Sequence, residues 1–412
     1  MSIELQLSSP LPATGLTVHE QIGFELGWDY AHYRVTPPAP YAHEPSFVLQ
    51  GLLAGQAAFG LRTLEPTRHV RKWLQLRLHA WLRGRSVELV QLTPNYLQQI
   101  DVSHCPVTRM ALSSATLDGS GSDASVDRVR SDAGYAAGNL AVMSTKANHA
   151  KAALGYRQAW QLSQQLQASA THANEGAAER TGIHGLTAPQ WARVAVLCSF
   201  VEPLPHAEAC TIPLLVLPPN RLRLFNPAQA LQACISQQLM VPGWSHRIAR
   251  LEDLLPGKLV KRAFQTFFHA LLPRVLEAGK GVAAHELRWA IEDAWRNPLA
   301  QQRWAIFAGQ LTAEQCESIV VRAGAKKLGA LRVSLMADAR ATDGWNLDSR
   351  GYVPHTVLTG VPSCRALRYS PLGRPGGLTG VPSCCALRYS PLGRPGGLMH
   401  RSPPRQADLP LH

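Results

Sequence analysis

Residues 125–151 read "SVDRVRSDAGYAAGNLAVMSTKANHAK", and this stretch decides the fold of the segment around it. The two runs "SVDRV" and "NLAVMS" flank a glycine-containing turn, a pattern that predicts a short β-hairpin. Gly134 and Gly138 suit a tight turn because glycine adopts positive φ at little cost. The polar run "TKANHAK" then predicts a helix, which we expect to continue beyond Lys151 into "AALGYRQAWQLSQQLQ".

The chain has 412 residues, of which 46% are hydrophobic, enough for two or three domains with buried cores. Its 41 Lys and Arg residues outnumber 28 Asp and Glu residues, giving a formal net charge of +13. Such a surplus favours polyanionic partners such as nucleic acid. Residues 356–412 alone hold seven Arg, one Asp and no Lys, so nearly half of the surplus lies in the tail.

The sequence predicts a cytoplasmic protein with no membrane partner. Its start, "MSIELQLSSPLPATG", lacks a basic segment followed by an apolar one, and the apolar run "CTIPLLVLPP" is about half a membrane span. The eight cysteines include no CxxC pair and no Cys/His cluster at zinc spacing. We therefore expect reduced thiols and no zinc.

Residues 67–83 predict a helix with one apolar and one basic side. Thr67 is suited to cap its start and Gly84 to end it. Its basic side suits either of two roles, a contact with phosphate backbone or simple exposure to solvent. The apolar residues are Val70, Trp73, Leu74, Leu78, Trp81 and Leu82, and the basic ones are Arg68, Arg71, Lys72, His79 and Arg83.

The predicted fold class is α+β and mainly helical, with a small strand–strand–helix module between an N-terminal helical segment and a C-terminal all-α domain. The first 45 residues, rich in Pro and aromatics, predict irregular structure, and a helix follows over residues 46–60. A disordered tail contains a near-identical 20-residue tandem repeat, residues 359–378 and 379–398. The predicted segments are 1–86, the module 87–155, a helix end and linker 156–185, the helical domain 186–345, and the tail 346–412.

A resemblance to a known family rests on the order of five short motifs: "LTPNYLQQI", "CPVT", "SVDRV", "GYAAGNLAVMS" and "ANHAK". Together they resemble the phage-type members of the HNH endonucleases, a family with a ββα-metal (His-Me finger) fold. The resemblance covers residues 87–153, under a fifth of the chain.

The resemblance implies a site for one divalent cation between the hairpin and the helix. Asp127 and Asn148 would be its metal ligands, and their oxygens are of the kind that Mg²⁺ prefers. Asn139 matches the family's middle Asn, which fixes the loop by hydrogen bonds. Lys146 and Lys151 join Arg68, Arg71, Lys72 and Arg83 as predicted nucleic-acid contacts.

Arg128 follows Asp127 where most family members have a histidine that acts as general base. A guanidinium remains protonated at working pH, so Arg128 is able to bind phosphate but not to take a proton from water. His149 and His104 are the alternative bases. Cys105 has no CxxC partner and is expected to pack as a small apolar residue.

Three functions remain open at this stage. The chain is a DNA endonuclease that depends on Mg²⁺ or another divalent cation, a catalytically inactive DNA-binding protein, or a helical interaction or regulatory protein. In the third case, residues 186–345 would bind a protein partner.

Overall fold

The computed structural model describes residues 16–43, 45–113, 121–172, 182–278, 282–328, 334–338 and 340–347. They belong to a compact unit that spans Gly15–Val357. The unit is mainly helical and contains a two-stranded antiparallel sheet, which confirms the coarse fold class. The tandem repeat and nearly all of the predicted tail lie outside the described residues.

The N-terminal part contains three helices: α1 (Val18–His32), α2 (Phe47–Phe59) and α3 (Arg68–Leu82). Helix α1 was not predicted. Its signal is a capping box, in which Thr17 Oγ1 accepts from the Glu20 N–H while the Glu20 carboxylate accepts from the Thr17 N–H. A short 3₁₀ turn, Ala39–Tyr41, lies in the segment between α1 and α2.

Helix α3 agrees with the predicted helix over residues 67–83. Thr67 Oγ1 accepts from the Val70 N–H at 3.2 Å, and the predicted apolar stripe is buried except for Leu82. Arg77 of α3 forms a buried ion pair with Asp29 of α1 and lies over the Trp73 ring. These contacts hold α3 against α1, while Arg71 and Arg83 remain exposed.

The predicted hairpin and helix form in the predicted order. After α4 (Pro94–Ile100), strand β1 (Ala124–Arg128) pairs antiparallel with β2 (Leu140–Ser144), and α5 (Thr145–Lys151) follows at once. The expectation of one helix running past Lys151 is wrong. Ala152 has φ +46°, a left-handed conformation that ends α5, and α6 (Tyr156–His172) begins after this break.

The remainder is helical, as predicted for residues 186–345. A parallel two-residue bridge pairs β3 (Arg223–Leu224) with β4 (Ser334–Leu335). The helices are α7 (Ala188–Ser199), α8 (His206–Ala209), α9 (Pro227–Gln238), α10 (Trp244–Glu252), α11 (Gly257–Ala278), α12 (Ala284–Ala294), α13 (Pro298–Ala308) and α14 (Ala313–Ala325).

One apolar core joins the ββα segment to these later helices. It includes Val129 and Met143 beside the hairpin, Trp191 of α7, and Phe267 and Trp295 of the helical part. Residues 87–155 and 186–345 therefore share a core. None of the helices described is both long enough and apolar enough to cross a bilayer.

Candidate functional site

Strand β1 and helix α5 face each other through alternate strand residues. Successive strand side chains point to opposite faces, so Ser125 and Asp127 share the face toward α5. Asn148 Nδ2 donates to Ser125 Oγ at 2.7 Å, and one helical turn later Lys151 reaches Asp127. The structure thus brings both predicted metal ligands, Asp127 and Asn148, to one strand–helix interface.

Lys151 and Asp127 form a buried ion pair. Lys151 Nζ lies 3.0 Å from Asp127 Oδ2, and the two side chains are 0% and 7% exposed. The ammonium also donates to the Arg128 carbonyl oxygen at 3.0 Å and to Ser131 Oγ at 3.1 Å. Lys151 was predicted to contact nucleic acid; it is instead an internal cation whose hydrogen bonds stay within the chain.

The environment of this pair is nearly closed to solvent. Burial raises the pKa of the Asp127 carboxyl, although the positive charge of Lys151 acts in the opposite direction. Cys198 of α7 lies alongside, with Sγ 3.8 Å from the carbonyl oxygens of Val129 and Leu154. Burial raises the pKa of its thiol to about 12, so Cys198 is neutral at physiological pH. Helix α7 therefore places a neutral, buried thiol beside the ion pair.

Arg128, predicted as a catalytic residue, holds the hairpin loop together. Its Nη1 donates to the carbonyl oxygens of Ser131 at 3.0 Å and Ala133 at 2.8 Å. The guanidinium also lies over the Tyr135 ring, 5.1 Å from its centre. Arg128 is partly exposed and keeps its charge at the surface, but these bonds fix its position.

Asn139 ties the two ends of the same loop together, the role that the resemblance implies for it. Its Oδ1 accepts from the Arg130 N–H at 2.8 Å, and Nδ2 donates to the carbonyl oxygens of Arg130 and Gly134. Gly138 has the expected positive φ of +90°. Gly134 does not; it is required because a Cβ there would lie 2.1 Å from Ser86 Oγ.

The remaining predicted residues of the site lie elsewhere. His149 and Lys146 are exposed on α5, while Asn148 and Lys151 of the same helix face β1. His104 stacks on His285 with ring centres 4.2 Å apart. Cys105 is fully buried, as expected for a small apolar residue. The structure gives neither histidine a contact with Asp127.

The residues at the strand–helix interface fit a divalent cation poorly. Mg²⁺ needs several hard oxygen ligands and keeps water among them, whereas Asp127 is nearly closed to solvent and has an ammonium 3.0 Å away. Asn148 retains a carbonyl oxygen, since its bond to Ser125 uses Nδ2. Within the described ranges, no group of three or more His, Cys, Asp or Glu side chains is arranged to hold a metal ion.

Helix α3 touches the ββα segment through its basic side. Lys72 Nζ donates to the carbonyl oxygen of Ala124, the first residue of β1, at 2.9 Å. Arg68 pairs with Asp101, which also lies 3.2 Å from His69. Arg71 and Arg83 are exposed. Of the four predicted α3 contacts, Arg71 and Arg83 therefore present their charges to solvent most openly.

The charges of α3 continue toward the hairpin. Burial, followed by the charges of Arg83 and Lys72, lowers the pKa of His79. The pKa of Arg85 is likewise lowered by burial first, then by Arg128, and to a smaller extent by Arg83. These effects place Lys72, Arg83, Arg85 and Arg128 near one another, whereas the lowered pKa of His79 leaves its ring neutral at neutral pH. Together with the exposed Arg71 of α3, these four residues form a set that we call the cationic strip: Arg71, Lys72, Arg83, Arg85 and Arg128.

Arg85 is the member of the cationic strip that sequence analysis missed. It follows Gly84, where α3 has already ended, so helical periodicity gives no indication of its direction. The available signal was its place at the end of the basic motif "LRGR", residues 82–85. No family model, curated protein or solved structure matches this chain.

Proposed function

We propose that this chain is an HNH-like nucleic-acid-binding protein in which the Lys151 ammonium takes the position of the divalent cation. The observation that carries the proposal is the buried Asp127–Lys151 ion pair, since it supplies the strand carboxylate with a positive partner from within the chain. The ββα segment then serves as a rigid support for a basic surface. Hydrolysis through a bound metal ion is not part of this function, because the residues present fit a metal ion poorly.

The cationic strip is the surface that would contact the nucleic acid. Arg and Lys side chains bind phosphate oxygens without reading sequence, and they give an affinity that falls steeply with salt. Arg71 and Arg83 project from α3, while Arg128 is fixed at the hairpin by its two carbonyl bonds. A fixed guanidinium loses little conformational entropy on binding phosphate, which favours Arg128 as an anchor.

A second candidate is the metal-dependent DNA endonuclease, and one observation favours it. Asp127 Oδ2 is buried and accepts no hydrogen bond of good geometry from the described residues, despite its ionic contact with Lys151. If Lys151 moved away, Asp127 Oδ2 would be available to coordinate a divalent cation. Activity would also need a base, because Arg128 remains protonated and His149 faces solvent.

Plasmid cleavage separates the two candidates. The proposal predicts duplex binding without nicking in Mg²⁺ or Mn²⁺, for the wild type and for Asp127→Asn alike. Nicking by the wild type that Asp127→Asn abolishes would establish the endonuclease instead. The Arg128→His variant provides a second test, because it introduces the histidine that most family members use as general base. If Lys151 keeps a divalent cation out of the site, this variant still does not cleave the plasmid.

The protein-interaction alternative makes a different prediction. A helical partner-binding protein would show no duplex binding even at low salt, and loss of cationic-strip charges would change nothing. Duplex binding that weakens when Arg83 is replaced would remove this alternative.

A further inference from the structure

A polar cavity of about 270 Å³ lies beside the loop between β1 and β2, whose residues Ala137 and Gly138 line it. It is bordered by α4, by the loop end Ala137–Gly138, and by the residues that lead into β3. Three amide side chains line it, Gln91, Asn95 and Gln99, together with two arginines. Its volume is at the lower end of small-molecule sites.

Arg223 brings a fixed positive charge to this cavity. Its Nη1 donates to the carbonyl oxygens of Ala341 at 3.1 Å and Asp343 at 2.9 Å, and the guanidinium lies over the Trp345 ring. The aliphatic part of Arg223 packs against Gly138, where a Cβ would lie 2.3 Å from its Cγ. The guanidinium is thus held in place before any ligand arrives.

Arg221 brings a second positive charge that the described residues leave unpaired. It is exposed, lines the cavity, and forms no hydrogen bond or ion pair with any residue in the described ranges. Its φ is +66°, a left-handed conformation that is strained for a residue with a side chain. Strain of this kind persists where the surroundings impose it and is concentrated at ligand sites.

The Tyr96 hydroxyl supplies a hydrogen-bond donor to the cavity. The side chain is 8% exposed, and its hydroxyl oxygen accepts from the Gly138 N–H at 2.8 Å. Its own proton has no acceptor among the described residues. Burial raises the pKa of Tyr96 to about 12, while Arg223 and Arg221 act in the opposite direction. The hydroxyl therefore keeps its proton at neutral pH, and the charges of both guanidinium groups act on it.

None of the described residues that line the cavity carries a carboxylate to neutralise these donors. The carboxylates whose charges act on Arg223 are those of Asp343 and Glu88. The Glu88 carboxylate is already occupied, since it accepts from the backbone N–H groups of Val90, Gln91 and Leu92. Among the described residues, the lining thus carries two positive charges and no negative one, which favours an anionic ligand.

We propose that this cavity binds a phosphomonoester, with the phosphate between Arg221 and Arg223 and the polar remainder of the ligand against the amide side chains. Guanidinium groups bind phosphate oxygens by paired, charge-assisted hydrogen bonds. The same dianion occurs on a small phosphorylated molecule and at the end of a nucleic-acid strand. The inference does not depend on the proposed function, because none of these residues belongs to the cationic strip.

Calorimetric titration of the full chain tests this site with inorganic phosphate, adenosine 5′-monophosphate and adenosine. The nucleotide and phosphate bind, whereas adenosine, which lacks the phosphate, does not. Arg221→Gln weakens nucleotide binding by about tenfold or more, the loss expected when one charge-assisted contact is removed. Arg303→Gln is the matched control, because Arg303 is an exposed arginine on α13, and it leaves binding unchanged.

A competition arm identifies the source of the phosphate. If strand ends are the natural ligand, an oligothymidylate with a 5′-phosphate displaces the nucleotide and the same oligothymidylate with a 5′-hydroxyl does not. If the natural ligand is a small molecule, neither oligothymidylate displaces the nucleotide. An oligonucleotide held only at the cationic strip displaces nothing. The inference is overturned if phosphate and the nucleotide give no binding at millimolar concentration, if adenosine binds equally well, or if Arg221→Gln binds like the wild type.

Discussion

Lys151 Nζ lies 3.0 Å from Asp127 Oδ2, and both side chains are almost closed to solvent. An HNH-like site would place the acidic end of its first strand toward a metal ion at this interface. Here the helix that would supply the second ligand also supplies an ammonium, three residues after Asn148. The pair therefore joins strand to helix by charge within the chain.

Lys151→Met should destabilise the fold by about 3 kcal/mol or more, because it leaves the Asp127 carboxylate buried without a partner. It also removes the hydrogen bonds to Arg128 and Ser131. Urea unfolding provides the measurement. Lys146→Met, on the exposed side of the same helix, is the control and should stay within about 0.5 kcal/mol of the wild type.

The double variant Asp127→Leu/Lys151→Met isolates the electrostatic part of this loss. Replacing both charges by apolar groups removes the unpaired carboxylate, so stability should recover relative to Lys151→Met alone. A double variant no more stable than the single one would mean that packing around Lys151, rather than charge, holds α5 to β1.

Stability should fall as pH rises from 9 toward 12, partly because of Cys198. Its pKa is about 12 in the folded chain against 9.0 for an ordinary thiol. Above pH 9 the unfolded thiol loses its proton while the folded one keeps it, so the unfolded state gains stability. Urea unfolding at several pH values should show that the stability difference between wild type and Cys198→Ala shrinks by at most about 1.4 kcal/mol per pH unit. A constant difference would contradict the burial of this thiol.

Arg221→Gly should raise the free energy of unfolding by about 1 kcal/mol, because glycine adopts the left-handed conformation without strain. The same change removes a charge from the polar cavity. Arg303→Gly is the contrasting control, since glycine inside α13 should lower stability by about 1 kcal/mol. If the two variants are equally destabilised in urea, the backbone at Arg221 is not strained.

Arg83→Ala should weaken duplex binding and reduce the slope of log affinity against log salt by about one unit. Arg83 is exposed, and its charge acts on both His79 and Arg85. Fluorescence anisotropy over a range of salt concentrations measures the slope. Arg303→Ala should leave it unchanged, and an unchanged slope for Arg83→Ala would place the DNA elsewhere.

Local patterns predicted the elements of the ββα segment and of α3. Thr67 caps α3 as expected, and the hairpin and α5 occur within residues 124–151. The loop-fixing role of Asn139 was implied by the resemblance to the HNH endonucleases and not by a local pattern. The helices and the hairpin depend on residues close together in the chain, which is why periodicity and turn residues were sufficient to predict them.

The character of the site depended on distant residues and could not be predicted in the same way. Within the motif "ANHAK", Lys151 has the sequence context of a surface lysine. It is buried because the chain turns at Ala152, directly after α5, and because Cys198 of α7 packs beside it. The polar cavity likewise combines Tyr96 with Arg221, which are 125 positions apart. Such contacts follow from tertiary packing, which no local pattern encodes.

The affinity of the wild-type chain for a DNA duplex, measured in EDTA and again in Mg²⁺ at matched ionic strength, tests the central claim most directly. If Lys151 takes the cation's position, the affinity in Mg²⁺ is no higher than in EDTA, since binding then depends on the cationic strip and Mg²⁺ only competes with it for phosphate. Duplex binding that requires Mg²⁺ and disappears in Asp127→Asn would contradict the account, because Asp127 would then serve the metal rather than Lys151.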